Sequence, residues 1–167
     1  MAALLRGLVK VIPCPFSNSA TVKRHCSFWI GVQDRCMYSH TFYFGDQKPF
    51  TTGCTAVVEV KIFGRSLGKD DVLLDICVAQ RLLRDIMARY DHQNLDLLDE
   101  FQLPRRNTTV EVMAKAIHGH FVDGLQQHHQ ESRRAGREGL EHLSRIEVLI
   151  KESDVAFAGF AEQLTIE

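Results

Sequence analysis

Two runs of strict period-two alternation constrain this chain more than any other feature. Within residues 26–44, Cys36, Tyr38, His40, Phe42 and Phe44 fall on one face and Met37, Ser39, Thr41 and Tyr43 on the other. In residues 54–63, Cys54, Ala56, Val58, Val60 and Ile62 fall together, with Glu59 and Lys61 opposite. Alternation of this kind describes a strand with one face in a core and one in water. Gly45-Asp46 and Pro49 punctuate the join, so the two runs are expected to pair as an antiparallel hairpin.

The period then changes. Gly64 to Gly68 reads as a turn, and Asp75–Tyr90 carries Ile76, Ala79, Leu82, Leu83, Ile86, Met87 and Tyr90 at helical spacing, with Asp75 as a cap. Pro104 closes the next loop. Thr108-Thr109-Val110-Glu111 has the form of a capping box for a second helix that buries Val112, Met113, Ala116, Ile117, Phe121 and Leu125. Residues 126–139 are polar and read as an exposed linker or frayed helix end. Leu143–Ile150 and Val155–Leu164 read as two more strands about a Glu152-Ser153-Asp154 turn. The order β-β-α-α-β-β argues for an α+β fold, an antiparallel sheet with two helices on one face.

Composition excludes several classes. A formal net charge of −1 gives no basis for electrostatic capture of nucleic acid or an anionic membrane. No apolar stretch reaches the roughly 18–20 residues of a membrane span, and Arg6 and Lys10 interrupt the N-terminal apolar run, which makes a poor signal peptide. A cytoplasmic protein is expected, with residues 1–25 a loose extension and 26–167 the folded domain. Five Cys and no close Cys-x-x-Cys pair argue against a disulfide framework.

The chemistry-bearing residues are few. His40 stands on an apolar strand face, where a packed core histidine is the ordinary reading. Asp91-His92 follows a helix end, and a histidine beside a carboxylate suits proton transfer. His118 and His120 lie about 200° apart on a helix and cannot easily share an ion, so they and His128-His129 read as solvated surface.

In order and spacing these segments resemble the 6-pyruvoyltetrahydropterin synthase and 6-carboxytetrahydropterin synthase family of the tunnelling fold (T-fold). The resemblance runs from about residue 27 to 164. It rests on Met37-Tyr38-Ser39-His40, on Thr52-Gly53-Cys54 and the valines that follow, and on Val72-Leu73-Leu74-Asp75. Tyr90-Asp91-His92-Gln93-Asn94-Leu95-Asp96, Thr108-Thr109-Val110-Glu111-Val112 and Lys151-Glu152-Ser153 complete it. It implies a T-fold that assembles edge to edge into an oligomeric barrel, a homo-oligomer of six or four copies, with pockets between subunits. It implies that Glu152 anchors a pterin through the ring's two-donor edge. Thr108, Thr109 and Glu111 would line that pocket, and Asp91 and His92 would shuttle protons.

The resemblance breaks at the metal. The family holds zinc with three histidines, and here only His40 remains, with Thr52 and Cys54 at the other two positions. His40 and Cys54 are two ligands where catalytic zinc takes three, so a zinc site of the usual family type is not expected; a rearranged site using His40, Cys54 and a third group from elsewhere is the alternative. The family's nucleophile-like cysteine is also absent. Asp46 falls near its place and could serve as an acid or base, or be a turn aspartate. The implied function is a divergent pterin-pathway enzyme, lyase-like or aldolase-like, acting on the side chain of a dihydroneopterin-type substrate. A non-catalytic pterin- or purine-binding or scaffolding T-fold protein is the alternative.

Overall fold

The computed structural model describes residues 27–102 and 106–166. The N-terminal extension and Pro104 lie outside them. Strand β1 (Phe28–Phe42) and strand β2 (Phe50–Gly64) pair antiparallel along their whole length, with Phe28 opposite Gly64 and Phe42 opposite Phe50. Helix α1 (Ile76–Tyr90) follows, started by the Asp75 carboxylate, which accepts from the Cys77 amide at 2.8 Å. Next come a two-residue strand β3 (Gln93–Asn94), a short helix α2 (Asp99–Gln102) and the long helix α3 (Val110–Arg134). Strand β4 (Leu143–Lys151) and strand β5 (Phe157–Gln163) close the chain.

The sheet order is β3-β1-β2-β4-β5. All pairings are antiparallel except β3, which adds a parallel step beside Tyr38 and Ser39. The fold is thus the expected α+β arrangement, widened by one strand. Both long helices pack on the same face. There Val58, Val60, Ile62, Ile146, Val148 and Ile150 meet Ala79, Leu83, Met87, Met113, Ile117 and Phe121, all buried. Alternation sends their strand neighbours to the open face, where Glu59 bridges Lys61 at 3.2 Å and Lys151 at 3.4 Å. No helix among the described residues is long and apolar enough to cross a membrane.

Two expectations are corrected. Residues 126–134, read as an exposed linker or a frayed helix end, are the last turns of α3, and they are packed rather than frayed, with His129 and Ser132 buried. Leu125, His129 and Ser132 keep the helical spacing, and the chain folds back so that Nδ1 of His129 accepts from the Leu140 amide at 2.9 Å. Gly136, at φ 68°, supplies the left-handed residue that turns the chain out of the helix. His118 is likewise buried rather than solvated. It stacks edge-on against Phe160 of β5 at 5.0 Å, and its Nε2 has no hydrogen-bond partner.

Candidate active site

Four consecutive residues of β1, Met37 to His40, tie together most of the residues singled out in the sequence. Because a strand alternates, their backbone groups point along the sheet while Tyr38 and His40 project to the helix-covered face.

At the outer edge of β1, the Met37 amide donates to Oδ1 of Asp91 at 2.9 Å. The Met37 carbonyl accepts from the His92 amide at 2.6 Å. Asp91 also ends α1, its amide bonded to the Met87 carbonyl at 2.9 Å. His92 then takes a left-handed backbone, φ 58°, which swings its ring over the Asp91 carboxylate. The Nε2–Oδ2 distance is 3.6 Å, and the ring is 69% exposed. A cleft of about 250 Å³ lined by Met37, Tyr38, Ser39, His92 and Gln93 opens at this edge. The imidazole is therefore held from the backbone side and open to a partner or ligand on the other.

Two residues on, His40 is buried and its Nδ1 faces the Thr108 carbonyl at 2.8 Å and the Thr108 hydroxyl at 3.0 Å. A carbonyl can only accept, so in the neutral ring Nδ1 carries the hydrogen and Nε2 the lone pair. This contact pins the entry of α3 to β1. It also displaces the expected capping box by one residue. Thr108 serves His40, and Thr109 is the cap, its hydroxyl accepting from the Val112 amide at 3.4 Å. Glu111 therefore stands one position too early to close a box. Hydrogen bonds from its own backbone amide and from Thr109 hold its carboxyl below the usual range. Its side chain is exposed and borders a groove with Phe101, Lys115, His120 and Phe160.

Glu152 lies at a step in the sheet. The last residue pair between β2 and β4 is Val57 with Lys151, so residues 50–56 of β2 run on without a partner on that side. Glu152 follows Lys151 directly and reaches into this step, where the Tyr38 hydroxyl donates to its Oε1 at 3.5 Å. Cys54, opposite Tyr38 in register, lies between them. Burial, then the charge of Glu152, push the Cys54 thiol up to about 11, while hydrogen bonding to Tyr38 acts against this. Burial raises the Tyr38 phenol as well. Around the strand end, Glu152 also borders a cavity of about 730 Å³ on the open face, with Arg35, Lys151 and Phe157 in its wall.

The donors present do not fit the zinc ion that the resemblance implies. The His40 contact through Nδ1 to a carbonyl is one that metal-bound histidines use. However, its neighbours do not complete a set. Thr52, opposite it, offers only a neutral hydroxyl, 3.5 Å from the Gly53 carbonyl, and Cys54 stands opposite Tyr38, not opposite His40. Among the described residues no three His, Cys, Asp or Glu side chains are grouped to hold a metal. Asp46 stands apart too, exposed in the β1–β2 turn closed by the Gln47 amide on the Phe44 carbonyl at 3.0 Å.

Sequence reasoning placed Tyr38 on the right face but gave it no role. Its proximity to Glu152 depends on where β4 ends relative to β2, a long-range offset with no local signature. An aromatic ladder from Tyr38 through His40 and Phe42 to Phe44 and Phe50 was visible in part as alternation. Its rings follow one another at 5.5, 4.4 and 5.4 Å.

A family model described as 6-pyruvoyl tetrahydropterin synthase matches residues 32–160. Among solved structures, the chain is similar to the 6-pyruvoyl tetrahydropterin synthase of Plasmodium falciparum, at 14% identity and a TM-score of 0.65. The Plasmodium vivax protein gives 12% and 0.66; in both, 83% of this chain and 99% of the other are covered. The Caenorhabditis elegans protein gives 15% identity and 0.59, over 85% of this chain and 99% of the other. No curated protein matches the chain in sequence.

Proposed function

Because the chain belongs to the 6-pyruvoyl tetrahydropterin synthase family, we propose that it is a divergent pterin-pathway enzyme that acts on the side chain of a dihydroneopterin-type substrate. The observation that carries this reading is the convergence on residues 37–40. One short stretch of β1 holds the proton-transfer pair through Met37, touches the Glu152 carboxylate through Tyr38, and fixes Thr108 through His40. Glu152 accepts two parallel N–H bonds from the ring edge, the geometry for which a carboxylate is suited. His92, oriented by Asp91, takes or returns a proton on the substrate side chain.

Strands lie about 4.8 Å apart, so Glu152, just past the end of β4, and the Asp91–His92 edge are separated by about three strand positions. The pair sits at an edge of β1 that β3 covers for only two residues. A homo-oligomer joined edge to edge brings this edge against a neighbouring copy and covers strands that would otherwise invite aggregation. The reaction is of the lyase or aldolase type, run by proton transfer without a step assigned to a metal.

Titration calorimetry with dihydroneopterin and its phosphates tests the reading. Binding by the intact chain and its loss in Glu152→Ala are expected; no binding, or binding indifferent to Glu152, refutes it. The incomplete metal donor set favours a second reading, a non-catalytic pterin- or purine-binding or scaffolding protein. Turnover of a dihydropterin panel, abolished by His92→Ala while binding persists, excludes that alternative.

A further inference from the structure

The His-x-His positions of the family carry Thr52 and Cys54 here, and Cys54 is not simply a lost ligand. It faces Tyr38 across the β1–β2 ladder, and both stand beside the Glu152 carboxylate. Tyr38 is buried and wedged edge-on against the His40 ring at 5.5 Å and 88°, so its phenol has little freedom to leave Glu152. An ionised carboxylate offers about four lone-pair sites. One bond from Tyr38 therefore orients the group and leaves both oxygens able to accept from a ligand.

We propose that Tyr38 and Cys54 are positioning residues for Glu152. Phenol and thiol fix its carboxylate in the β2–β4 step, so that it selects a planar heterocycle presenting adjacent ring N–H and exocyclic amino donors, without a metal. This rests on the reading of Glu152 as the ligand anchor. Its specific consequence is that recognition strength resides in two side chains, one given no role by sequence reasoning and the other read as a zinc remnant.

The test uses the full chain and dihydroneopterin, with a 2-oxo analogue lacking the exocyclic amino group as comparator. Tyr38→Phe keeps the ring and removes only the hydroxyl. It is expected to weaken dihydroneopterin binding about five- to tenfold, the effect of one ordinary hydrogen bond. It should also shrink the preference over the 2-oxo analogue, a readout that mere packing would not move. Cys54→Ser should retain most affinity, Cys54→Ala should lose it several-fold, and a strong chelator should change neither the affinity nor the stoichiometry. Thermal melts of each variant confirm that the fold is kept. Tyr38→Phe binding with unaltered affinity and preference overturns the proposal, as does loss of binding on chelation. Absence of binding by the unmodified chain instead overturns the Glu152 anchor itself, and this inference with it.

Discussion

At the scale of single residues, Asp91 serves two masters. Its Oδ1 accepts the Met37 amide and its Oδ2 faces His92. Asp91→Ala removes the acceptor of the exposed Met37 amide and is expected to cost about 0.5–1.5 kcal/mol, read from the urea midpoint. Asp91→Asn keeps an acceptor and should recover most of that stability while turnover stays low. His92 adopts a left-handed backbone that side chains resist. His92→Gly should relieve about 1 kcal/mol of that strain, largely offset by the greater entropy of glycine in the unfolded chain, so the melting temperature should stay within about 2 °C while turnover is abolished. A larger fall in melting temperature would show that the ring contributes to the fold. These residues were legible in the sequence because Asp-His at a helix end is local. Tyr38 was not, because its proximity to Glu152 arises from strand offset.

At the scale of elements, the two long strands and both principal helices could be read from periodicity, since each buries one stripe. The end of α3 could not. Its last buried positions, His129 and Ser132, are polar, and His129 is paired with backbone returning at Leu140. The capping box misled for a related reason: two adjacent threonines both fit a cap, and only the buried His40 decides which is free. The packing of α3 on β5 carries a pH signature. Burial holds the His118 pKa below its ordinary value, more strongly than Glu162 raises it. The unfolded chain therefore binds the proton more readily than the folded one. Stability should fall as pH drops from about 7 through the usual histidine range, then level off below the folded-state pKa. Thermal melts across that range measure it, and His118→Phe should flatten part of the slope. An equal slope in that variant would assign the effect to other groups.

At the scale of the whole molecule, the sheet is an offset tile. One hairpin overhangs the other at the β2–β4 step, β5 is left as an edge, and β1 is open except where β3 covers Tyr38 and Ser39. Sedimentation at micromolar concentration is expected to find several copies together, and a persistent monomer would contradict the edge-to-edge arrangement. That such edges exist was implied by a resemblance rather than by any pattern in the residues, since alternation describes faces and says nothing about what lies beside a strand. The open Asp91–His92 edge then has a thermodynamic consequence. If a ligand held at Glu152 is completed by a neighbour's histidine, occupancy and assembly share one free energy. Affinity for dihydroneopterin should decline as the protein is diluted, and saturating ligand should hold the assembled form together at concentrations where the empty chains separate.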